Sequence, residues 1–332
     1  METLETNYGS LAGISSPMTY PDGCLKSCMF TEANRIETPV GALIPQYRTA
    51  GFGERQKKHR SALTFFKNGQ IKAAALDEQM PIQTPLGLIK AELVTFYEDG
   101  SVNRVFPLNG QIDGFWSEQQ EGELAEFHEF DLPVGKISAK VISIHFYPGG
   151  ELKTLTLWPG QRVTVESPAG PILTRTGFSL YEDGSLRSVE PARPVELPTP
   201  IGLIKAFDSE IIGMHADQNS VQFSPEGTLV SVKTVHTGIR VAGPGKVETR
   251  IEPLEAASLI DIEQMRTVPM QIDFSEGSVR IAADKVYEFA SADYQFSTFD
   301  RARVLRETCG GCSGGGGECS GCTGGDSCCQ NS

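Results

Sequence analysis

One phrase returns along this chain and constrains the fold more than any other feature. Its clearest copies are TFYEDGSVNRV from Thr95, HFYPGGELKTL from His145, SLYEDGSLRSV from Ser179 and VQFSPEGTLVSV from Val221. Weaker copies are TFFKNGQIKAA from Thr64, TYPDGCLKSC from Thr19 and DFSEGSVRIA from Asp273. All share one glycine, at Gly23, Gly69, Gly100, Gly150, Gly184, Gly227 and Gly277, with gaps of 31 to 50 residues. An Asp-Gly or Asn-Gly pair between apolar runs predicts a two-residue hairpin in which both turn residues take positive φ.

A second element alternates with the first: IETPVGALI from Ile36, IQTPLGLIKA from Ile82, DLPVGKISAK from Asp131, VESPAGPIL from Val165 and LPTPIGLIKA from Leu197. Pro-x-Gly is a turn signal, because proline presets φ and glycine accepts positive φ. Between the reversals the chain is β-branched, aromatic and alternating, as in IKAELVTFY and KISAKVISIHFY. Strands joined this way form an antiparallel meander. The residue two beyond each hairpin glycine is always aliphatic (Leu25, Ile71, Val102, Leu152, Leu186, Leu229, Val279), a column expected to bury a stripe along the sheet. Cys28 falls in a second such column with Ala74, Val105, Leu155, Val189 and Val232, and so reads as a small buried hydrophobe, whereas Cys24 beside its turn glycine reads as exposed.

Two stretches interrupt the pattern. Residues 109–130 are acidic and aromatic, and residues 243–270 hold EPLEAASLIDIEQMR, whose apolar spacing predicts a short helix. The expected organisation is a β-hairpin repeat domain over 1–303 and a Cys/Gly-rich flexible tail over 304–332. The fold class is all-β, with a β-propeller as the alternative to the meander.

The aromatic-led Asp-Gly hairpins and the phrase NGQIDGFW resemble the MORN and YwqK-type repeat families, built of hairpins in extended antiparallel sheets. FSPEGTLVSV is similar to one strand pair of a WD40 blade, but the gaps of 31 and 34 residues are short for a blade of about 40 to 45. The MORN-like resemblance implies a scaffold or binding role rather than catalysis, and a protein partner is expected. Terminal strands of an open sheet invite self-association through their edges.

Six of the eight cysteines lie between Cys309 and Cys329, in a segment with nine glycines and no basic residue. They read CxxC (Cys309, Cys312), six residues, CxxC (Cys319, Cys322), five residues, then Cys328 and Cys329. Two CxxC pairs present four thiolates to one soft ion, zinc or copper(I), or to an iron-sulfur cluster. The short gap resembles a metallothionein-like cluster more than a zinc ribbon, whose pairs stand about 15 to 20 residues apart. A Cys/Ser/Gly-rich terminus also resembles the core of thiazole-forming microcin-type precursors. That resemblance implies an alternative in which the body is a recognition module and the tail the substrate of a modifying enzyme.

A net charge of -13 opposes binding to phosphate backbones or anionic lipid, so nucleic acid is not an expected partner. No run approaches the ~20 apolar residues of a membrane span, no leader is evident at METLETNYGS, and thiols clustered this way suit a reducing compartment; the expected location is cytoplasmic. Lys26, Lys72, Lys153, Arg187 and Arg280 stand three residues after the hairpin glycines, a row read as a solvated face offset by Glu98, Asp99, Glu182 and Asp183. His59, His128, His145, His215 and His236 show no ligand spacing, and no nucleophile or phosphate-loop motif occurs. No residue is nominated as catalytic, and the leading expectation is a non-catalytic scaffold whose tail binds soft metal.

Overall fold

A computed structural model describes residues 3–209, 216–245, 248–257 and 265–301. They are nearly all β, with one short helix, Glu118–Leu124, and the strands pair antiparallel. The central sheet begins at Ile14–Thr19 and Leu25–Phe30 and ends at Ser278–Ala282 and Val286–Ala290. Among the described residues the first strand pairs only with the second and the last only with the one before it, so the meander is open. One ladder runs through every unit, which sets the molecule apart from a propeller of separate blades. It passes beneath both insertions, pairing Val105 with Ile144 and Val232 with Ile272. The outer strand Ile14–Thr19 carries Pro17 and a positive φ of 49° at Ser16, which interrupt its ladder and blunt that edge.

The recurring hairpin differs from the predicted two-residue turn. Gly100 N–H donates to Tyr97 O at 3.0 Å, Tyr97 N–H donates to Ser101 O at 2.9 Å, and Ser101 N–H donates to Asp99 Oδ1 at 2.8 Å. Gly100 has φ +87° while Asp99 is not in the left-handed region, so this is a type I turn followed by a left-handed glycine and a bulge. The same backbone pair of bonds recurs at Gly23, Gly69, Gly150, Gly184 and Gly227. Gly277 is the exception: Ser275 pairs directly with Ser278, a true two-residue loop.

Four tyrosines at the start of the turns tie their units to the next. The hydroxyls of Tyr20, Tyr97, Tyr147 and Tyr181 donate to the carbonyls of Phe65, Phe146, Leu180 and Phe223 at 2.8, 2.8, 3.0 and 3.0 Å. The Pro-x-Gly hairpins form a second layer over the sheet. Their apolar residues, including Ile36, Ile82, Ile137, Val165 and Ile204, join one continuous core with the row Cys28, Leu63, Ala74, Val94, Val105, Ile144, Leu155, Phe178, Val189, Val221, Val232, Ile272 and Ile281. Every member of that row is at most 1% exposed, so the second column read from the sequence is buried as expected. The long strands Ile71–Thr84, Gly135–Phe146 and Gly170–Leu180 cross from sheet to second layer at bulges.

The two hairpin families nest. A Cβ on Gly150, Gly184 or Gly227 would lie 3.1, 3.0 or 3.1 Å from the ring of Pro85, Pro133 or Pro168, so each proline tip caps a later Asp-Gly-type tip. Thr6-Asn7-Tyr8-Gly9 is a further member without proline, with Asn7 against Gly69. In 243–270 the expected helix is replaced at both described flanks by strand: Leu254–Ala257 pairs with Met265–Val268, and 258–264 lie outside the described residues. The tail from 302 onward also lies outside them.

Candidate binding face

Alternation along the strands puts a polar row on the face opposite the core. In ladder order it reads Ser27, Thr64, Ala73, Thr95, Arg104, His145, Thr154, Ser179, Ser188, Gln222, Ser231 and Asp273. Two segments, not a second sheet, cover this face. One spans 46–62, where Gln46 N–H donates to Ala75 O at 2.8 Å. The other comprises the described residues 207–209 and 216–220, which reach the sheet through a set of polar bonds.

In that second segment Asp217 accepts from Thr154 Oγ1 at 3.0 Å and from Arg104 Nη2 at 3.2 Å, and lies 3.6 Å from His145 Nδ1. His145, Arg104 and Thr154 together hold the Asp217 carboxyl well below the usual carboxylate range. Asn219 Nδ2 donates to Ser188 Oγ at 2.7 Å. Ser220 donates to Glu190 through its N–H at 2.8 Å and its hydroxyl at 3.0 Å. Arg175 lies 3.6 Å from Glu190, stacks 4.5 Å from the Phe207 ring, and donates to Asp208 O.

Burial outweighs the Ser220 bonds and the Arg175 charge and pushes Glu190 up to about 7. The unfolded carboxyl, near its ordinary 4.5, releases its proton first, so folding stability drains as pH rises from there to about 7. We expect urea denaturation to show the wild-type chain losing on the order of 3 kcal/mol more than Glu190→Gln between pH 4.5 and 8. Parallel pH profiles for the two proteins would remove this proton from the account.

At the other end a buried ionic cluster fixes the first segment. Arg55 bonds Glu92 at 3.0 and 2.8 Å and Glu121 at 2.5 Å twice, and Lys57 reaches Glu92 at 2.8 Å. Trp116 Nε1 donates to Glu121 at 2.7 Å, and the N–H groups of Asn109 and Gly110 donate to Glu92 and Glu121 at 2.8 Å each. Burial alone would raise Glu92, but Arg55 and Lys57 outweigh it and keep the carboxyl below its ordinary value. Glu121 belongs to Glu118–Leu124, a helix the sequence reading did not foresee; the signal was the capping box, in which Ser117 and Gln120 bond reciprocally.

Two clefts indent this side of the molecule, the second of them bordered by Glu121 and Asn109 of the cluster. One, of about 720 Å³, is lined by Tyr20, Lys26, Phe66, Lys72, Thr95 and Tyr97 among others. The second, of about 420 Å³, lies against Leu93, Phe106, Ile142 and Trp158. His59 lines both. Burial lowers the His59 imidazole from its ordinary value and so favours its neutral form.

The residues singled out from sequence fare unevenly. Cys309, Cys312, Cys319, Cys322, Cys328 and Cys329 all lie outside the described residues, as does His215. Cys28 is buried, its thiol pushed up to about 11 by burial, and Cys24 is exposed with its thiol raised by neighbouring Asp22. The cation row is held locally rather than by turn carboxylates. Lys26, Lys72, Lys153 and Arg187 lie 5.8, 5.6, 5.1 and 5.6 Å from the rings of Tyr20, Phe66, Tyr147 and Tyr181, and Arg280 bonds Asp273 at 2.9 Å. His59, His145, Arg55 and Glu190 could not be singled out from sequence, because their partners stand 15 to 72 residues away.

Among the described residues no group of three or more His, Cys, Asp or Glu side chains is placed to hold a metal ion, and no helix is long and apolar enough to cross a membrane. Comparison with protein-family models, curated proteins and solved structures gives no match.

Proposed function

We propose that this chain is a non-catalytic β-repeat scaffold whose C-terminal thiol cluster binds a soft metal ion in a reducing, cytoplasmic setting. The observation that carries the reading is the partition of six of eight cysteines into the 21 residues from Cys309 to Cys329, four of them in two CxxC pairs and two adjacent. Thiolates in such pairs suit Zn²⁺ and Cu(I), and the glycines between them let the chain turn around an ion at no steric cost. The body supports the scaffold half: one sheet face is sealed by the Pro-x-Gly layer, while the other, where its covering segments leave it open, is indented by the cleft at Tyr20, Phe66 and Tyr97, a surface suited to a protein partner.

The test is titration of the full reduced chain with Zn²⁺ and with Cu(I), beside a variant in which all six tail cysteines are serine. Binding of about one Zn²⁺ per chain, lost in the serine variant, is the expected result. Equal uptake by both proteins would end the thiol assignment. Intact mass of protein from its native cell addresses the competing reading, since loss of water or hydrogen confined to the tail would mark it as an enzyme's substrate.

A further inference from the structure

The 420 Å³ cleft beside the Arg55 cluster has a feature that its apolar walls do not explain. Two of its lining side chains hold buried polar atoms with no hydrogen-bond partner, Asn109 Nδ2 and His59 Nε2. Asn109 is 5% exposed and its amide has one workable orientation, because Oδ1 accepts from His59 N–H at 3.1 Å. Its own N–H is taken by Glu92 at 2.8 Å and its carbonyl by Lys58 N–H at 2.6 Å. Backbone and side chain are thus fixed on every side but one, and the remaining group is a donor. Buried donors are almost always satisfied, so a preorganised orphan in a cleft marks the place of a missing acceptor.

The surroundings restrict what brings that acceptor. The Glu121 carboxylate is already engaged by Arg55, Trp116 and Gly110, and the two remaining charged lining residues, Lys58 and Glu118, are exposed and opposite in sign. The lining holds no buried lysine or arginine to await an anion, burial disfavours a charged His59, and an unpaired charge there would be costly. The walls beyond Asn109 and His59 include Leu93, Phe106, Ile142 and Trp158. We propose that this cleft binds a small uncharged carboxamide or lactam. Its carbonyl accepts from Asn109 Nδ2, its amide edge meets His59 Nε2, and its hydrocarbon body lies against the apolar wall. An amide edge offers both a donor and an acceptor, so it serves His59 in either neutral tautomer. This site involves no tail residue and stands apart from the thiol reading.

The experiment is a titration of the ¹⁵N-labelled full chain with benzamide, followed at the Asn109 side-chain amide, with benzoate and toluene as matched probes. A saturable shift is expected with benzamide, at an affinity about tenfold or more above either control, since each control leaves a polar group unpaired or buries a charge. Ile142→Trp, which fills the cleft, should abolish the shift while the far-UV spectrum stays unchanged; should it not fold, Leu108→Trp serves the same end. No saturable shift up to the solubility of benzamide would overturn the proposal. So would equal affinity for the three probes, or an unaltered shift in the filled variant.

Discussion

Gly177→Ala is expected to cost more stability than substitution at any of the hairpin glycines. Gly177 sits in the bulge of Gly170–Leu180 with φ +139°, and an added Cβ would stand 1.9 Å from Leu155 O and 2.8 Å from the Ala216 side chain. No L side chain fits there unless two central strands separate. Backbone strain at such a φ costs about 1–3 kcal/mol, and parting the ladder adds to it, so a loss above about 4 kcal/mol is expected. Gly100→Ala is the control: φ is +87° but a Cβ meets nothing within 4 Å, so only the left-handed penalty of about 1–2 kcal/mol applies. Urea midpoints of the two variants check this, and similar losses at both sites would contradict the close approach at Gly177.

Arg55→Ala is the second large effect. It strips both carboxylates of a shared partner in a site where Glu92 and Glu121 side chains are 8% and 3% exposed. Removing one member of a buried ionic cluster costs about 3–5 kcal/mol, because Lys57 alone then faces two buried carboxylates and one charge is left uncompensated. The pH dependence identifies the cause. In the native protein Glu92 is depressed, so its contribution is present above the ordinary carboxylate pKa and is lost as pH falls through the depressed value. In the variant the buried Glu92 carboxylate has lost Arg55 as a counter-charge and gains stability by taking a proton. The deficit should therefore be largest near pH 7 and shrink toward pH 4, read by urea denaturation of both proteins. A deficit independent of pH would mean that Arg55 acts through its packing.

Much of the fold was legible because its information is local. A glycine needed in the left-handed region recurs at each hairpin, and β-branched alternation marks which residues face the core, as with Cys28 among Val105, Leu155 and Val232. Turn type was misjudged because Asp-Gly suits both a two-residue loop and a type I turn with a glycine bulge; the hydrogen bond from Ser101 N–H to Asp99 decides for the second. The helix Glu118–Leu124 was missed because its seven residues carry no apolar period, only a cap. The polar row and the two clefts were not legible at all. Ser27, Thr95, His145 and Ser188 are unremarkable in sequence and acquire a shared face only through register across many strands. Likewise the Arg55, Glu92 and Glu121 cluster joins residues up to 66 positions apart.

The account depends on a single sheet that runs unbroken beneath both insertions, with one sealed face and one polar face. Interstrand nuclear Overhauser effects test it most directly, at the two pairings that bridge those insertions. Contacts from Val105 to Ile144 and from Val232 to Ile272, with Val105 and Ile144 methyls also reaching the Pro-x-Gly layer, are the predicted result. Their absence, with Val105 or Val232 instead paired to residues inside 109–130 or 243–268, would contradict the continuous sheet and the binding face built on it.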